Sequence, residues 1–388
     1  MLDFNRNFLQ TLGIAILVSS NSIAAALSFG GAYYVVMFLC IILIAISHRI
    51  IIQTSSIVIL LLVFYCIISG LLSDSKDTPT AYHYGLFCFV FGLALFTGPL
   101  RINVSLFFKC MVVIGVLCSP ILLLKARELA SLILTAESDA GNMMGMTYAI
   151  VPSVLSALSL LFSNNNFVWK SVSFILIIFS SLILFIIGSR GAFIVFLVFL
   201  LLLLFTIIIK KKAVKLLFFS FFVITTIMVV SNFDNYLIGI DDALDNRGVS
   251  IYAISKAVNR MDTDTFSNGR TEIWKIAWDG FVEKPLGHFI GSFEDVYELH
   301  QHNFVLQLIW EFGLLGLIMA LSIIFKSIVC LFVSKTDKDM QLFKMTIFCS
   351  SLIILSYSGT FWILPCFWIW LRIINKKKIS SYEKYLDI

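Results

Sequence analysis

Apolar stretches of about 20 residues recur through most of this chain, and they constrain its fold more than any other feature. A helix needs roughly 20 apolar residues to cross ~30 Å of hydrocarbon. Of the 388 residues, 60% are hydrophobic and 13% are charged, and the mean hydropathy is +0.98. A soluble core of this size cannot bury so much apolar sequence. The sequence therefore predicts an all-α integral membrane protein.

Twelve stretches have the length and composition of membrane spans. They are residues 8–29, 32–47, 54–72, 82–97, 104–124, 143–162, 167–188, 191–209, 213–231, 303–325, 342–358 and 360–374. The long polar segment 232–302 divides the chain, and amphipathic spacing within it predicts short helices. We expect nine spans in residues 1–231, one large external loop in 232–302, and three spans with a basic tail in 303–388.

The basic residues test this arrangement independently. With a cytoplasmic N-terminus, one face of the membrane holds 18 of the 28 Lys and Arg residues, including the run Lys210–Lys212. Residues 233–302 carry 12 acidic and 6 basic residues, so their net charge is 6 − 12 = −6. The positive-inside rule then places both termini in the cytoplasm and the long loop outside. The overall charge of +5 reflects this topology, and we expect no nucleic-acid partner.

One arginine lies on the outer face in a very short connection. Ser189-Arg190-Gly191-Ala192 joins the seventh and eighth spans, and its small residues leave the guanidinium of Arg190 open to an anion. The alternative is that Arg190 only snorkels to the lipid headgroups. Both interpretations remain open from the residues alone.

A second arginine lies in the long loop. Apolar residues at helical spacing after Arg270 predict a helix that begins near Gly269 and ends before Pro285. Arg270 then lies in the first turn, where free backbone N–H groups and a guanidinium can bind an anion together. A solvated arginine on a helix lying along the bilayer is the alternative.

Two histidines follow where the loop meets the tenth span. We expect His302 to be the general base, because it lies where water meets the membrane and titrates near neutral pH. His300 lies two residues earlier, and we expect it to assist in binding the substrate. A zinc site would need an extended segment and more ligands than His288 can add, so we expect no metal. Further along the span, Gly313 and Gly316 are expected to let a neighbouring helix approach closely.

These residues together resemble the O-antigen ligase and polysaccharide polymerase superfamily. His302-Asn303, separated by nine residues from Gly313-Leu314-Leu315-Gly316, is similar to the histidine motif of that family. Ser189-Arg190-Gly191-Ala192 resembles its arginine hairpin, and Gly269-Arg270 through Pro285-Leu286-Gly287 resembles the start of its large periplasmic loop. The resemblance covers most of the chain.

The resemblance implies a glycosyltransferase without metal or other cofactor. Its donor would be an undecaprenyl-diphosphate-linked glycan, and its acceptor a lipid-linked repeat unit or the lipid A-core saccharide. His302 would be catalytic, while Arg190, Arg270, His300 and Asn303 would bind substrate. The protein would lie in the bacterial inner membrane among lipids, with its active site facing the periplasm. A chain-length regulator protein is an expected partner.

Two activities within the family fit the sequence, and one outside it competes. We favour a polymerase, because the loop is compact and the hairpin reads SRGA. The alternative is an O-antigen ligase that transfers the glycan to lipid A-core. A flippase for polyprenyl-linked sugars is less favoured, because residues 172–187 and 192–209 contain neither the ionisable residues nor the helix breaks expected of a transporter.

Overall fold

The structure is a computed structural model, and it confirms an all-α polytopic membrane fold. It describes residues 2–27, 32–47, 54–73, 79–133, 140–163, 166–187, 189–208, 270–334, 336–375 and 386–387. The predicted span 213–231 and most of the long loop lie outside these residues.

The described residues form fourteen α-helices and one short pair of strands. The helices are α1 Leu2–Val18, α2 Ser20–Leu27, α3 Ala32–Ser47, α4 Thr54–Leu71, α5 Thr80–Phe96, α6 Val104–Ile133, α7 Ala140–Ser163, α8 Phe167–Ile187, α9 Arg190–Leu203, α10 Arg270–Glu283, α11 Ser292–Tyr297, α12 Phe304–Ile328, α13 Lys338–Phe348 and α14 Pro365–Ile374. π-Helical turns follow α9, α12 and α13, at Leu204–Ile208, Val329–Val333 and Cys349–Ile353, and a 3₁₀ turn at Phe361–Ile363 precedes α14. The strands are β1 Arg101–Ile102 and β2 Leu386–Asp387.

Six of the described helices are long and apolar enough to cross a membrane, or seven if the bent pair α1 and α2 forms one span. Three shorter apolar helices, α3, α5 and α14, add to these. The predicted total of twelve spans remains a prediction.

The first predicted span, residues 8–29, corresponds to two helices joined by a bend. Helices α1 and α2 meet at Ser19 with a bend of 57°. The Oγ atom of Ser22 donates a hydrogen bond to the carbonyl of Ala149, which ties α2 to α7. The last carbonyls of α2, at Ala25 and Ala26, accept hydrogen bonds from Nζ of Lys125. A cation at a helix C-terminus satisfies carbonyls that have no partner within the helix.

The loops that join successive helices lie alternately at the two ends of the bundle. At one end, the backbone N–H of Gly359 contacts His302, and Asp295 contacts Thr80. At the other end, β1 pairs with β2, and Arg372 donates to the carbonyl of Gly98. This distribution of loops between the two ends agrees with the alternating direction of the spans on which the topology prediction is based. The two histidines and α10 lie at the first end.

Helix α12 is broken at Gly313, where the sequence predicted a continuous span. Gly313 has φ 58° and ψ −135°, outside the helical region. The backbone N–H of Leu314 donates to the carbonyl of Pro285 at 2.8 Å, so a loop residue replaces the lost helical partner. The break turns the second half of α12 back on the first, and a Cβ atom at Gly316 would lie 1.8 Å from the carbonyl oxygen of Leu308.

Candidate active site at one end of the helix bundle

The segment from α10 to α12 is anchored on one tryptophan. The indole of Trp310, in the first half of α12, stacks on the ring of His288 with centroids 3.8 Å apart and planes 6° apart. Its Nε1–H donates to Oγ of Ser292, and its carbonyl accepts the N–H of His288 at 2.6 Å. Gly280 of α10 packs so closely on this indole that a Cβ atom would lie 2.1 Å from it. Trp310 therefore fixes α10 and α11 against the bundle.

The two glycines of the histidine motif have a different role from the one expected. A Cβ atom at Gly313 would lie 2.2 Å from the carbonyl oxygen of Pro285 and 2.4 Å from the nitrogen of Gly287. Gly316 packs against Leu308 of its own helix. Neither contact is with a neighbouring span, so the expectation of close helix approach is corrected. The motif allows a loop to insert where α12 breaks.

Helix α11 is attached to α5 by one carboxylate. Oδ1 of Asp295 accepts hydrogen bonds from the N–H of Thr80 at 3.0 Å and from its hydroxyl at 2.6 Å. Oδ2 accepts one from the hydroxyl of Ser73. An acidic side chain at the start of a helix also interacts favourably with the helix dipole. The segment that carries the histidines is thus held at both α5 and α12.

His302 lies in a short non-helical segment immediately before α12. Its φ angle is 52°, a left-handed conformation that few residues other than glycine adopt. Its Nδ1 atom accepts a hydrogen bond from the backbone N–H of Gly359 at 3.3 Å. The next residue, Asn303, caps α12, because its Oδ1 accepts from the N–H groups of Val305 and Leu306. Capping therefore occupies this oxygen, and the role of Asn303 in substrate binding stays a prediction.

Gly359 is held in place by a buried polar network around Glu311 of α12. Glu311 is fully buried, and its carboxylate oxygens accept the Nε1–H of Trp362 at 3.1 and 3.0 Å. Gln307 donates to Glu311 at 3.2 Å and to the hydroxyl of Thr360 at 2.7 Å. These bonds join α12 to the segment after Gly359. The ring of His302 therefore contacts a backbone that several buried hydrogen bonds make rigid.

Tyr148 of α7 connects three other parts of this end. Its phenol lies close enough to Ser189, Arg270 and Ser358 to interact with them electrostatically. A Cβ atom at Gly191 would lie 1.9 Å from the phenol oxygen. The arginine hairpin, the first residue of α10 and the segment before Gly359 therefore meet around one phenol.

The structure thus brings the predicted residues together. Arg270 is the first residue of α10 that the structure describes, and it lies next to Tyr148 and close enough to His302 to affect its charge state. The backbone of Arg190 begins α9, between two residues that adjoin Tyr148. The side chain of Arg190 lies outside the described part of the structure.

Electrostatics at this end favour the neutral form of His302. Burial lowers the pKa of His302 to about 4, and the neighbouring charges of His300 and Arg270 contribute in the same direction. At neutral pH the imidazole is therefore neutral, with a single proton on one of its two nitrogens. The guanidinium, the phenol and the backbone N–H groups can each donate hydrogen bonds to an anion. The neutral imidazole carries no negative charge that would repel it.

His300 has a partner that sequence analysis missed. Its Nδ1 atom lies 3.1 Å from Oε1 of Glu294 in α11. The side chain of Glu294 is 7% exposed, whereas that of His300 is 43% exposed. The rings of His300 and His302 lie 6.2 Å apart by their centroids and meet edge to face. The imidazole of His300 is therefore the more accessible of the two from solvent.

Sequence analysis also missed Tyr148 and Gly359, which come from distant spans. Neither lies in a motif, and their apolar surroundings resemble those of any membrane helix. Gln301, between the histidines, gave a weak signal as a polar residue at the loop boundary. Its carbonyl accepts the Nε1–H of Trp274 at 3.0 Å, which ties α10 to the histidine segment.

The fold and the site define a polytopic membrane protein with a polar cluster at one end of its bundle. Residues 174–321 match the family described as O-antigen ligase. The match covers less than half of the chain and contains the arginine hairpin, α10 and the histidine segment. It supports the O-antigen ligase and polysaccharide polymerase superfamily, so the resemblance predicted from the motifs is confirmed. No curated protein and no solved structure gives a significant match.

Proposed function

We propose that this protein transfers a glycan from undecaprenyl diphosphate to a sugar hydroxyl at the periplasmic face of the bacterial inner membrane. The observation that carries the proposal is the meeting of Arg270 and the Ser189–Gly191 hairpin at Tyr148, with His302 close to Arg270, at one end of a membrane bundle. A lipid-borne donor needs such a site, because its diphosphate lies at the membrane surface while its tail stays in the hydrocarbon. Family membership gives independent support for lipid-linked glycans as substrates.

The chemistry of the donor fits the charges at this site. A diphosphate leaving group develops negative charge as the glycosidic carbon is attacked, and preorganised cations and N–H groups stabilise that charge. Arg270 and Arg190 offer planar guanidinium groups that bind phosphate through two hydrogen bonds, and they do this without a metal ion. His302 is proposed as a catalytic residue that contacts the reacting atoms. Attack opposite the diphosphate would invert the configuration of the anomeric carbon.

Within this reaction we favour the polymerase, in which the acceptor is a lipid-linked repeat unit. The alternative is a ligase, in which the acceptor is lipid A-core. A lipopolysaccharide gel of a deletion strain separates them: one repeat unit per core is expected for a polymerase, and none for a ligase. Unchanged long-chain lipopolysaccharide and capsule would contradict both. Complementation by the intact gene is the control.

Two features also favour a transporter for lipid-linked sugars. Helix α12 is broken, and Glu311 is an ionisable residue inside a membrane span, as transporters often show. Here, however, a loop carbonyl fills the break, and Trp362 and Gln307 bind both oxygens of Glu311. A transporter would move the lipid-linked donor across liposome membranes without forming a new glycosidic bond, whereas we expect bond formation.

A further inference from the structure

The Nε2 atoms of the two histidines differ in hydrogen bonding: that of His300 can accept a hydrogen bond, and that of His302 can donate one. Oε1 of Glu294 lies 3.1 Å from Nδ1 of His300, and when Glu294 is a carboxylate it can only accept, which places a proton on Nδ1. In a neutral imidazole the other nitrogen, Nε2, then has a free lone pair. The second oxygen of Glu294 is buried and has no hydrogen-bond partner among the described residues. Among the described residues, His300 is therefore the group that the Glu294 side chain orients.

His302 has the reverse arrangement. The backbone N–H of Gly359 can only donate, so Nδ1 of His302 accepts and carries no proton. The neutral ring then carries its proton on Nε2. A neutral imidazole of lowered pKa that donates from Nε2 can stabilise negative charge on a neighbouring oxygen. With Nδ1 occupied and Nε2 protonated, this ring has no free lone pair with which to take a proton.

The surroundings of the two rings fit a proton acceptor at His300 and a hydrogen-bond donor at His302. His302 lies beside Arg270, where an anion would bind, and most of its surface is buried. The side chain of His300 is 43% exposed, so an acceptor hydroxyl can reach it from the solvent side. With the ring centroids 6.2 Å apart, both side chains can contact one reaction centre from different directions.

We propose that His300, oriented by Glu294, is the general base of the transfer, and that His302 is a hydrogen-bond donor to the departing diphosphate. This inference rests on the proposed function, and it reassigns the base from the residue that the motif indicated. The acceptor hydroxyl oxygen forms a bond to the anomeric carbon while its proton moves to Nε2 of His300. The bond between that carbon and the diphosphate oxygen breaks, and its electron pair leaves with the diphosphate. Glu294 is a positioning residue, since it acts through His300.

Matched glutamine substitutions test this division of roles. Glutamine keeps an N–H donor but cannot take a proton, so His300→Gln should lower kcat by roughly 10²- to 10⁴-fold. His302→Gln keeps a donor and should lose only about tenfold. Both variants are compared with wild type for expression, membrane insertion and thermal unfolding in detergent. The reverse order, with His302→Gln inactive and His300→Gln active, would overturn the proposal and make His302 the base.

Two further variants separate chemistry from structure. Added imidazole should restore part of the activity of His300→Ala, because an accessible cavity admits a small base, and it should not restore His302→Ala to the same extent. Glu294→Gln should lower kcat and leave KM for the donor near that of wild type. A loss in His300→Ala that imidazole leaves unchanged would contradict the base role. Absence of transfer by the wild-type protein would instead reject the proposed function itself.

Discussion

The Nδ1 atom of His302 accepts a hydrogen bond at 3.3 Å from the backbone N–H of Gly359, 57 residues further along the chain. This contact joins the loop before α12 to the segment before α14, and the network of Glu311, Gln307 and Trp362 holds that segment in place. The geometry of the histidine motif therefore depends on the last two spans as well as on the loop.

Gly313→Ala should destabilise the protein and lower its activity. A side chain at φ 58° costs about 1 to 2 kcal/mol, and its Cβ atom would also clash with the carbonyl of Pro285. Gly145→Ala is the matched control, because a Cβ atom there meets nothing within 4 Å. Thermal unfolding in detergent measures both variants. A Gly313→Ala protein as stable as Gly145→Ala would mean that the break in α12 is absent.

Tyr148→Phe should lower turnover by about 2- to 10-fold, the value of one hydrogen bond of about 0.5 to 1.5 kcal/mol. Its hydroxyl lies within reach of both Arg270 and the arginine hairpin, so its loss loosens their relative position. Gly191→Ala should have a larger effect, because the new methyl group would occupy the place of the hydroxyl. Tyr297→Phe, on a side chain of α11 that is 39% exposed, is the control. Equal kinetics of Tyr148→Phe and Tyr297→Phe would contradict this role.

The stability of the protein should fall as the pH decreases from 6.5 to about 4, and His302 should contribute to that fall. The pKa of His302 is lowered by burial from 6.5 to about 4. Between these values the unfolded chain binds a proton that the folded chain does not, so acid favours unfolding. His302→Gln should show a smaller loss of thermal stability across this range, with His83→Gln, on an exposed side chain, as control. A pH dependence in His302→Gln identical to that of wild type would argue against a buried neutral imidazole.

The orientation in the membrane can be tested with exposed lysines at opposite ends of the bundle. Lys275 lies on α10, next to the site, and Lys338 begins α13. In a cysteine-free background, an impermeant thiol reagent applied to intact spheroplasts should label Lys275→Cys and leave Lys338→Cys unlabelled. Labelling of Lys338→Cys alone would reverse the predicted topology.

The sequence predicted local features of this protein well and long-range ones poorly. Apolar spacing and Pro285 predicted where α10 ends, and the structure describes this helix over Arg270–Glu283. The break at Gly313 was missed, because its cause is a carbonyl at Pro285 that only the folded chain brings near. The pairing of His300 with Glu294 is local, but it was also missed, since it depends on the left-handed turn at Glu298 that ends α11.

The most direct test of the account is glycan transfer by the purified protein in liposomes, from an undecaprenyl-diphosphate-linked repeat unit to a lipid-linked acceptor, with EDTA present. We expect the wild-type protein to lengthen the acceptor and release undecaprenyl diphosphate. Arg190→Lys and Arg270→Lys should each reduce the rate by about 10-fold or more, because lysine keeps the charge but loses the paired hydrogen bonds to phosphate. Lys275→Arg, on the exposed face of α10, should have no effect. A wild-type protein that transfers no glycan to this acceptor or to lipid A-core, or lysine variants as active as wild type, would contradict the account.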